Sequence, residues 1–395
     1  MNGIFIHQQI KALQSLGAEC QVILLHNWFP PYHLHKLHPY WVQGYKQKND
    51  FFTTYEGVEV HAVPMFVKMP SRFFKDTFYN RAANALKKYI NKNKRLKNAD
   101  WLYAHFLTPM GFIGAQVKDD IHMKLAVIAR GDDVHAWPER DPALVSHFPL
   151  VFDKADLVLA NSKNLGEDAK KWMQPDNIRN VHVAYNGIDY TKFYPVKSID
   201  EKNNIRTKYG LYPNLKYIIC IATRVQLKGW IELLETIKLA GTKFDGWILL
   251  IVAPERNAPD ALDLKALAKE FGITNKIEDL GHLSPDDLAA ILRASDAFVL
   301  ASYNEGMANS LLEAMASGLP CIATEVGGHN EVIEHLVDGI LIPPKSVTDL
   351  LYALCAITES SELRKKLGAN ARKRMLQFGD YQQNAKKLLM LFENP

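Results

Sequence analysis

Two stretches of this chain set charged side chains where they could grip a phosphorylated ligand. The first is Ile221-Ala222-Thr223-Arg224-Val225-Gln226-Leu227-Lys228-Gly229-Trp230, in which a strand gives way to a loop and then a helix. Arg224 offers a planar fork of donors and Lys228 a point charge, and both suit the oxygens of a diphosphate. The second runs from Ala301 to Pro320 and repeats the strand, loop, helix order. Glu305 lies in its loop, Gly306 lets backbone approach a ligand closely, and Glu313 falls inside a helix that begins near Ala308. An ionised carboxylate only accepts hydrogen bonds, so each Glu can take two from vicinal hydroxyls of a ribose or hexose. The helix start presents unpaired N–H groups and a positive dipole end, which favour phosphate. Singly, these are a pair of surface cations, a solvated loop acid and a paired helix acid. Their parallel arrangement in one half of the chain favours a ligand site.

Those segments must be held by sheets. Short apolar runs alternate with helix-length amphipathic stretches, the pattern of parallel sheets covered by helices. In the first half, strands are expected at Cys20–His26, Val58–Val63, Asp100–His105, Lys124–Ala129, Leu157–Ala160 and Val181–Ala184. In the second half they are expected at Tyr217–Ala222, Trp247–Val252, Ile277–Leu280, Ala297–Leu300, Cys321–Thr324 and Gly339–Ile342. Helices are expected at Phe5–Leu16, closed by Gly17, at Lys163–Trp172 behind Ser162, and at Pro285–Arg293 behind Ser284. A doubly wound domain normally opens with a strand before its Gly-rich turn, whereas here Asn2-Gly3 leads straight into a helix. The first strand of the first domain is therefore expected to be missing. The last helices, near Ser361–Gln377 and Tyr381–Phe392, have no strand after them and could pack across both domains.

Composition narrows the class. The chain has 395 residues, 48% hydrophobic and 23% charged, with a formal net charge of +4. That is globular composition of a length suited to two domains. The longest apolar runs, Tyr217–Ala222 and Trp247–Ala253, are far short of the roughly 18 residues a membrane span requires. The N-terminus lacks the basic and long apolar regions of a signal peptide. Cys20, Cys220, Cys321 and Cys355 form no CxxC pair and read as core residues in a reducing compartment. A cytoplasmic location is expected. No Asp-x-Asp triplet or clustered His/Cys/acid spacing suggests a metal. The mild charge and lack of a recognition motif argue against nucleic-acid binding.

Together the Arg-x3-Lys-Gly element (Arg224, Lys228, Gly229) and the Glu-x7-Glu element (Glu305, Glu313) resemble the retaining, nucleotide-sugar-dependent glycosyltransferases of family 4, with the GT-B fold. Leu312-Glu313-Ala314-Met315-Ala316-Ser317-Gly318-Leu319-Pro320 is a close copy of that family's pattern. The resemblance extends through Ala323–Glu331, the linker Asn186-Gly187-Ile188-Asp189 and, more loosely, Gly3–Gln9. It implies an α/β fold of two Rossmann-like domains facing across a cleft. The acceptor-side domain would span residues 1–190 and the nucleotide-sugar domain residues 191–378, with a helix over residues 379–395 returning to the N-domain. It implies catalytic roles for Arg224 and Lys228, which would neutralise the departing diphosphate, and for Glu305, which would hold the transferred sugar with Gly306, Met307 and Ala308. Glu313 would hold the ribose, Asn309 and Ser310 would meet phosphate, and His282 would flank the base. No cofactor or metal is implied beyond the nucleoside-diphosphate sugar, and the acceptor would be a sugar or lipid-linked glycan of a cell-surface polysaccharide.

Cleft candidates in the first half are Gly3, His105, Arg130 and Asp132. Relatives carry His-Gly-x-Asp where this chain has Arg130-Gly131-Asp132-Asp133, so Arg130 reads either as a phosphate or sugar contact or as half of a structural Arg–Asp pair. The basic run Lys87–Lys97, with Phe73, Phe74, Phe78 and Tyr79 upstream, reads either as a surface for anionic lipid headgroups or as a solvated helix face. A non-catalytic member that binds a nucleotide sugar or a partner stands as the alternative function. A dinucleotide oxidoreductase lacks its Gly-x-Gly-x-x-Gly turn here, and a sugar-nucleotide epimerase would share the architecture.

Overall fold

The computed structural model describes residues 4–28, 54–55, 57–66, 75–253 and 260–395. The chain divides into two compact units, one formed by Met1–Ala184 with Ala385–Pro395 and the other by Tyr185–Asn384.

The second unit is built on one six-stranded parallel sheet. Its strands are β8 (Lys216–Ile221), β9 (Trp247–Val252), β10 (Ile277–Gly281), β11 (Ala297–Leu300), β12 (Cys321–Thr324) and β13 (Ile340–Ile342), in the lateral order β10-β9-β8-β11-β12-β13. These strands read as nearly continuous apolar runs because helices cover both faces. Alternate residues divide between the two. Ile219, Leu250 and Phe298 pack with Leu311, Leu312 and Met315 on one face. Ile218, Leu249 and Val299 pack with Trp230, Leu234 and Leu354 on the other. Serine caps start several of the covering helices: Ser198, Ser284, Ser346 and Ser360 each accept from a backbone N–H in the first turn.

In the first unit, β4 (Trp101–His105), β5 (Lys124–Ala129), β6 (Leu157–Ala160) and β7 (His182–Val183) form a four-stranded parallel sheet. A separate sheet pairs β1 (Gln21–Trp28) with β3 (Val58–Phe66) in parallel, and β2 (Thr54–Tyr55) joins β3 antiparallel. The helix Lys75–Lys92 packs Ala82, Ala83, Leu86 and Ile90 against Ile113 and Val117, with Ile23 of β1 and Leu102 of β4 at the same cluster. One helix thus covers strands of both sheets. At the other end of the chain, Phe392 of the helix Tyr381–Glu393 lies against Trp101 and Tyr103, at ring-centroid distances of 5.1 and 5.4 Å.

The expected strands all appear, with ends moved by at most a few residues. The first described element is the helix Ile4–Ser15, with no strand before it among the described residues. Strand β2 and several helices, among them Lys75–Lys92, Phe148–Lys154, Ile199–Lys208, Leu264–Glu270 and Val347–Glu359, had no counterpart in the sequence reading. Strand β2 is too short to show any periodicity, and the apolar stripe of Lys75–Lys92 is partly alanine and is broken by lysines. Among the described residues, no helix is long and apolar enough to cross a membrane. All four cysteines are unpaired.

Candidate functional site

The order of the second sheet decides where a ligand can bind. From β8 the chain winds outward through β9 to β10, then returns to the other side of β8 and winds outward again through β11, β12 and β13. The reversal opens a crevice at the carboxyl ends of β8 and β11, the place where open α/β sheets bind ligands. Arg224 and Lys228 follow β8, and Glu305 follows β11.

Backbone contacts stitch the two loops together. The Tyr303 N–H donates to Leu227 O at 2.9 Å. Gly229 has φ +68°, and a Cβ there would lie 2.0 Å from Ala301 O, so only glycine permits this approach. A third loop closes on the second. The Gly328 N–H donates to Gly306 O at 2.8 Å, and a Cβ on Gly327 (φ +50°) would lie 1.7 Å from Glu305 O.

The side chains converge on Glu305. Lys228 Nζ lies 2.7 Å from Glu305 Oε1, and Ser302 Oγ donates to the same oxygen at 2.8 Å. Behind them, Thr324 Oγ1 donates to Ser302 O at 2.6 Å, and His329 Nδ1 lies 2.8 Å from Thr324 O. A carbonyl can only accept, so His329 donates through Nδ1, which leaves Nε2 as its other ring nitrogen. That Nε2 is buried without a hydrogen-bond partner. Burial pushes the Glu305 carboxyl up, but the charges of Lys228 and His329 and the bonds from Lys228 and Ser302 hold it below its ordinary value. Burial lowers the His329 pKa against the opposing charge of Glu305. Both hydrogen bonds to Glu305 fall on Oε1, leaving Oε2 for a hydroxyl.

Glu313 lies on the helix Asn309–Ala316, whose first turn has no side-chain cap. Burial alone raises its pKa to about 8. A small cavity beside it is lined by Gly187, Asp189, Asn309, Leu312 and Tyr381. Asn309 Oδ1 accepts from Asn186 Nδ2 at 2.8 Å, fixing the linker against the start of that helix. Met307 and Ala308 are buried just before it, Ser310 is half-buried in its first turn, and His282 is exposed after β10.

Arg224 does not join the Lys228–Glu305 pair. Its guanidinium reaches the other way, to Asp279 Oδ1 at 2.9 Å and Ala253 O at 3.0 Å. Asp279 is absent from the sequence reading, as are Ser302, Thr324 and His329 as individual site residues. Two adjacent acids, Glu278 and Asp279, near the end of a short strand were the available signal for Asp279. Thr324 and His329 lie in a segment that carried the resemblance without roles being given to its side chains.

In the first unit, Gly3 lies outside the described residues. His105 and Arg130 do meet, with Arg130 Nη2 2.8 Å from His105 Nδ1 and the guanidinium 4.8 Å from the centre of the Phe5 ring. Burial, with the Arg130 charge, holds the His105 pKa well below its ordinary value. Asp132 is exposed, and its neighbour Asp133 is the buried acid. Asp133 accepts from the N–H groups of Leu107 (2.7 Å), Arg130 (2.9 Å) and Gly131 (3.0 Å). Burial raises its pKa to about 6 against those donors. In the basic run, Lys87 pairs with Asp120 and Arg95 with Glu19 and Glu59. Among the described residues, no group of three or more His, Cys, Asp or Glu side chains could hold a metal ion.

Parallel sheets in two Rossmann-like units match the GT-B fold. Solved structures share the fold. Sucrose-phosphate synthase from Thermosynechococcus elongatus superposes with a TM-score of 0.81 at 18% identity, covering 100% of this chain and 93% of that one. HepE of Anabaena, in complex with UDP-glucose, gives 0.74 at 17% identity, covering 95% and 100%. Residues 201–374 match the family model "Glycosyl transferases group 1". TuaC of Bacillus subtilis, a glycosyltransferase provisionally assigned to teichuronic acid biosynthesis, is 27% identical over 359 residues, 89% of this chain and 84% of its own. N-acetyl-alpha-D-glucosaminyl L-malate synthase of Bacillus anthracis is 26% identical over 278 residues, 70% of each chain. Residues 201–374 carry a glycosyltransferase group 1 domain, and the relatives matched over most of the chain include a named glycosyltransferase.

Proposed function

We propose that this enzyme is a retaining glycosyltransferase that moves a hexosyl unit from a UDP- or GDP-linked sugar to a sugar or lipid-linked glycan in cell-surface polysaccharide synthesis. The observation that carries the reading is the Lys228–Glu305 pair at the switch-point crevice. Breaking the anomeric C–O bond places negative charge on the diphosphate and positive character on the sugar. Lys228 and the uncapped helix start at Asn309 meet the first. Preorganised donors of this kind are worth about 3–4 kcal/mol each. Glu305, its carboxylate held at Oε1, takes a sugar hydroxyl on Oε2, and Glu313 takes the ribose.

Retention without an enzyme nucleophile follows from attack on the face the diphosphate leaves, with a phosphate oxygen taking the acceptor's proton. We assign the leaving-group charge to protein cations and a helix end rather than a metal, so transfer should persist in excess EDTA. Acceptor recognition is assigned to the first unit, with Arg130 and His105 as contacts, and the enzyme is placed in the cytoplasm at the inner face of the membrane.

A thermal-shift screen against UDP, GDP, ADP and their sugars tests the reading, because stabilisation follows ligand concentration over dissociation constant. One base should stand out, and Lys228→Ala should remove both that shift and transfer. A flat screen, or normal turnover in Lys228→Ala, would end the assignment.

A further inference from the structure

Arg224, read above as a diphosphate ligand, is also engaged by protein groups. Its side chain and that of Asp279 are only 8% and 6% exposed. Nε and Nη2 donate to Ala253 O at 3.3 and 3.0 Å, and Nη2 also donates to Asp279 Oδ1 at 2.9 Å. Nη1 makes no hydrogen bond among the described residues. The three partners come from neighbouring strand ends, Asp279 on β10, Ala253 after β9 and Arg224 after β8, in the lateral order of the sheet. The register of β10 on β9 shifts between Asp279 and Gly281. Irregularities of this kind re-aim side chains and are common beside active sites. The Gly281 N–H donates back to Asp279 Oδ1 at 3.0 Å and locks that carboxylate in place.

Stability does not account for the pair. Buried ion pairs are often no more stable than well-packed apolar replacements. This one is incompletely bonded, since Asp279 Oδ2 is buried with no hydrogen-bond partner, and Lys265 Nζ stands 4.0 Å from it. An acid left half-satisfied at the edge of a sheet calls for a reason beyond packing.

We propose that Asp279 is a positioning residue for Arg224. With Ala253 O it fixes the plane of the guanidinium so that Nη1 is presented to the phosphates of a nucleoside diphosphate. Arg224 then binds phosphate without first losing the freedom of a long side chain. The proposal rests on the reading of Arg224 as a phosphate contact, and the test separates the two.

The test is calorimetric titration of the wild-type enzyme, Arg224→Ala, Asp279→Leu, Asp279→Asn and the Arg224→Ala/Asp279→Leu double variant with UDP, GDP, uridine and guanosine. Hydrogen bonds to charged groups imply that Arg224→Ala and Asp279→Leu each weaken the preferred diphosphate by ~10–100-fold. The matching nucleoside, which has no phosphate, should change by less than ~3-fold, a selectivity that general loosening of the domain would not produce. Asp279→Asn keeps an acceptor for Arg224 and Gly281, and should recover most of the loss. The double variant should be no weaker than Arg224→Ala alone, because the two residues act as one. Unchanged diphosphate affinity in Asp279→Leu, equal weakening of diphosphate and nucleoside, or additive losses in the double variant would each overturn the positioning role. Unchanged affinity in Arg224→Ala would instead overturn the phosphate contact, and the positioning role with it.

Discussion

The two units place polar side chains at the carboxyl ends of parallel strands and use them in opposite ways. In the first unit, Asp133 is saturated by the N–H groups of Leu107, Arg130 and Gly131, so its bonds point inward and hold a loop. In the second, Glu305 takes both of its bonds on one oxygen, His329 keeps a buried Nε2 without a partner, and half-buried Glu313 has no hydrogen bond opposing the rise of its pKa. Both acids follow a strand of a parallel sheet. What separates a structural carboxylate from a ligand-binding one is whether the fold completes its hydrogen bonds or leaves some for an incoming molecule.

The largest expected effect tests the incomplete side. Glu305→Gln should lower transfer by ~10²–10³-fold through loss of charge against the sugar and of the Lys228 pair, measured as donor turnover per folded molecule. A variant that turned over normally would make Glu305 as structural as Asp133. The complementary change, Asp133→Ala, should cost about 3 kcal/mol in denaturant unfolding, since backbone donors lose their buried acceptor. Its affinity for the preferred nucleoside diphosphate should hold, and a large loss would erase the distinction.

Glu313 gives a pH signature. Its folded pKa, about 8, stands above the ordinary 4.5, so burial favours the protonated form. Stability tied to this group is therefore complete in acid and is lost as pH rises toward 8, by up to about 1.4 kcal/mol per pH unit. The difference in melting temperature between Glu313→Gln and the wild type should widen from pH 5 to pH 8 in ligand-free protein and then level off. A difference independent of pH would mean that the fold does not raise the Glu313 pKa. The smallest effect belongs to Ser302→Ala, which removes one of the bonds that hold Glu305. Transfer should fall about 5–10-fold, the worth of roughly 1 kcal/mol, with little change in donor KM.

Much of this was legible in the chain. The twelve strand positions could be read because buried parallel strands are continuous apolar runs, and Arg224, Lys228, Glu305 and Glu313 stood in strand–loop–helix segments that follow β8 and β11. What stayed hidden shares a cause. Asp132 and Asp133 are adjacent acids, and no local pattern says which turns inward. Asp279 sits 55 positions from Arg224, and only the pairing of β10, β9 and β8 brings them together. The helix Lys75–Lys92 was hidden because its apolar stripe, rich in alanine, is weak beside its lysines.

Local order therefore settled which residues carry charge and which segments are strands or helices, because periodicity and capping act over a few neighbouring residues. The lateral order of the sheet settled the rest. Only after β11 returned beside β8 did a crevice exist, with Lys228 on Glu305 across it and Arg224 held by Asp279 at its side. Strand pairing and burial join residues far apart in the chain, and those are free energies that no short window of sequence contains.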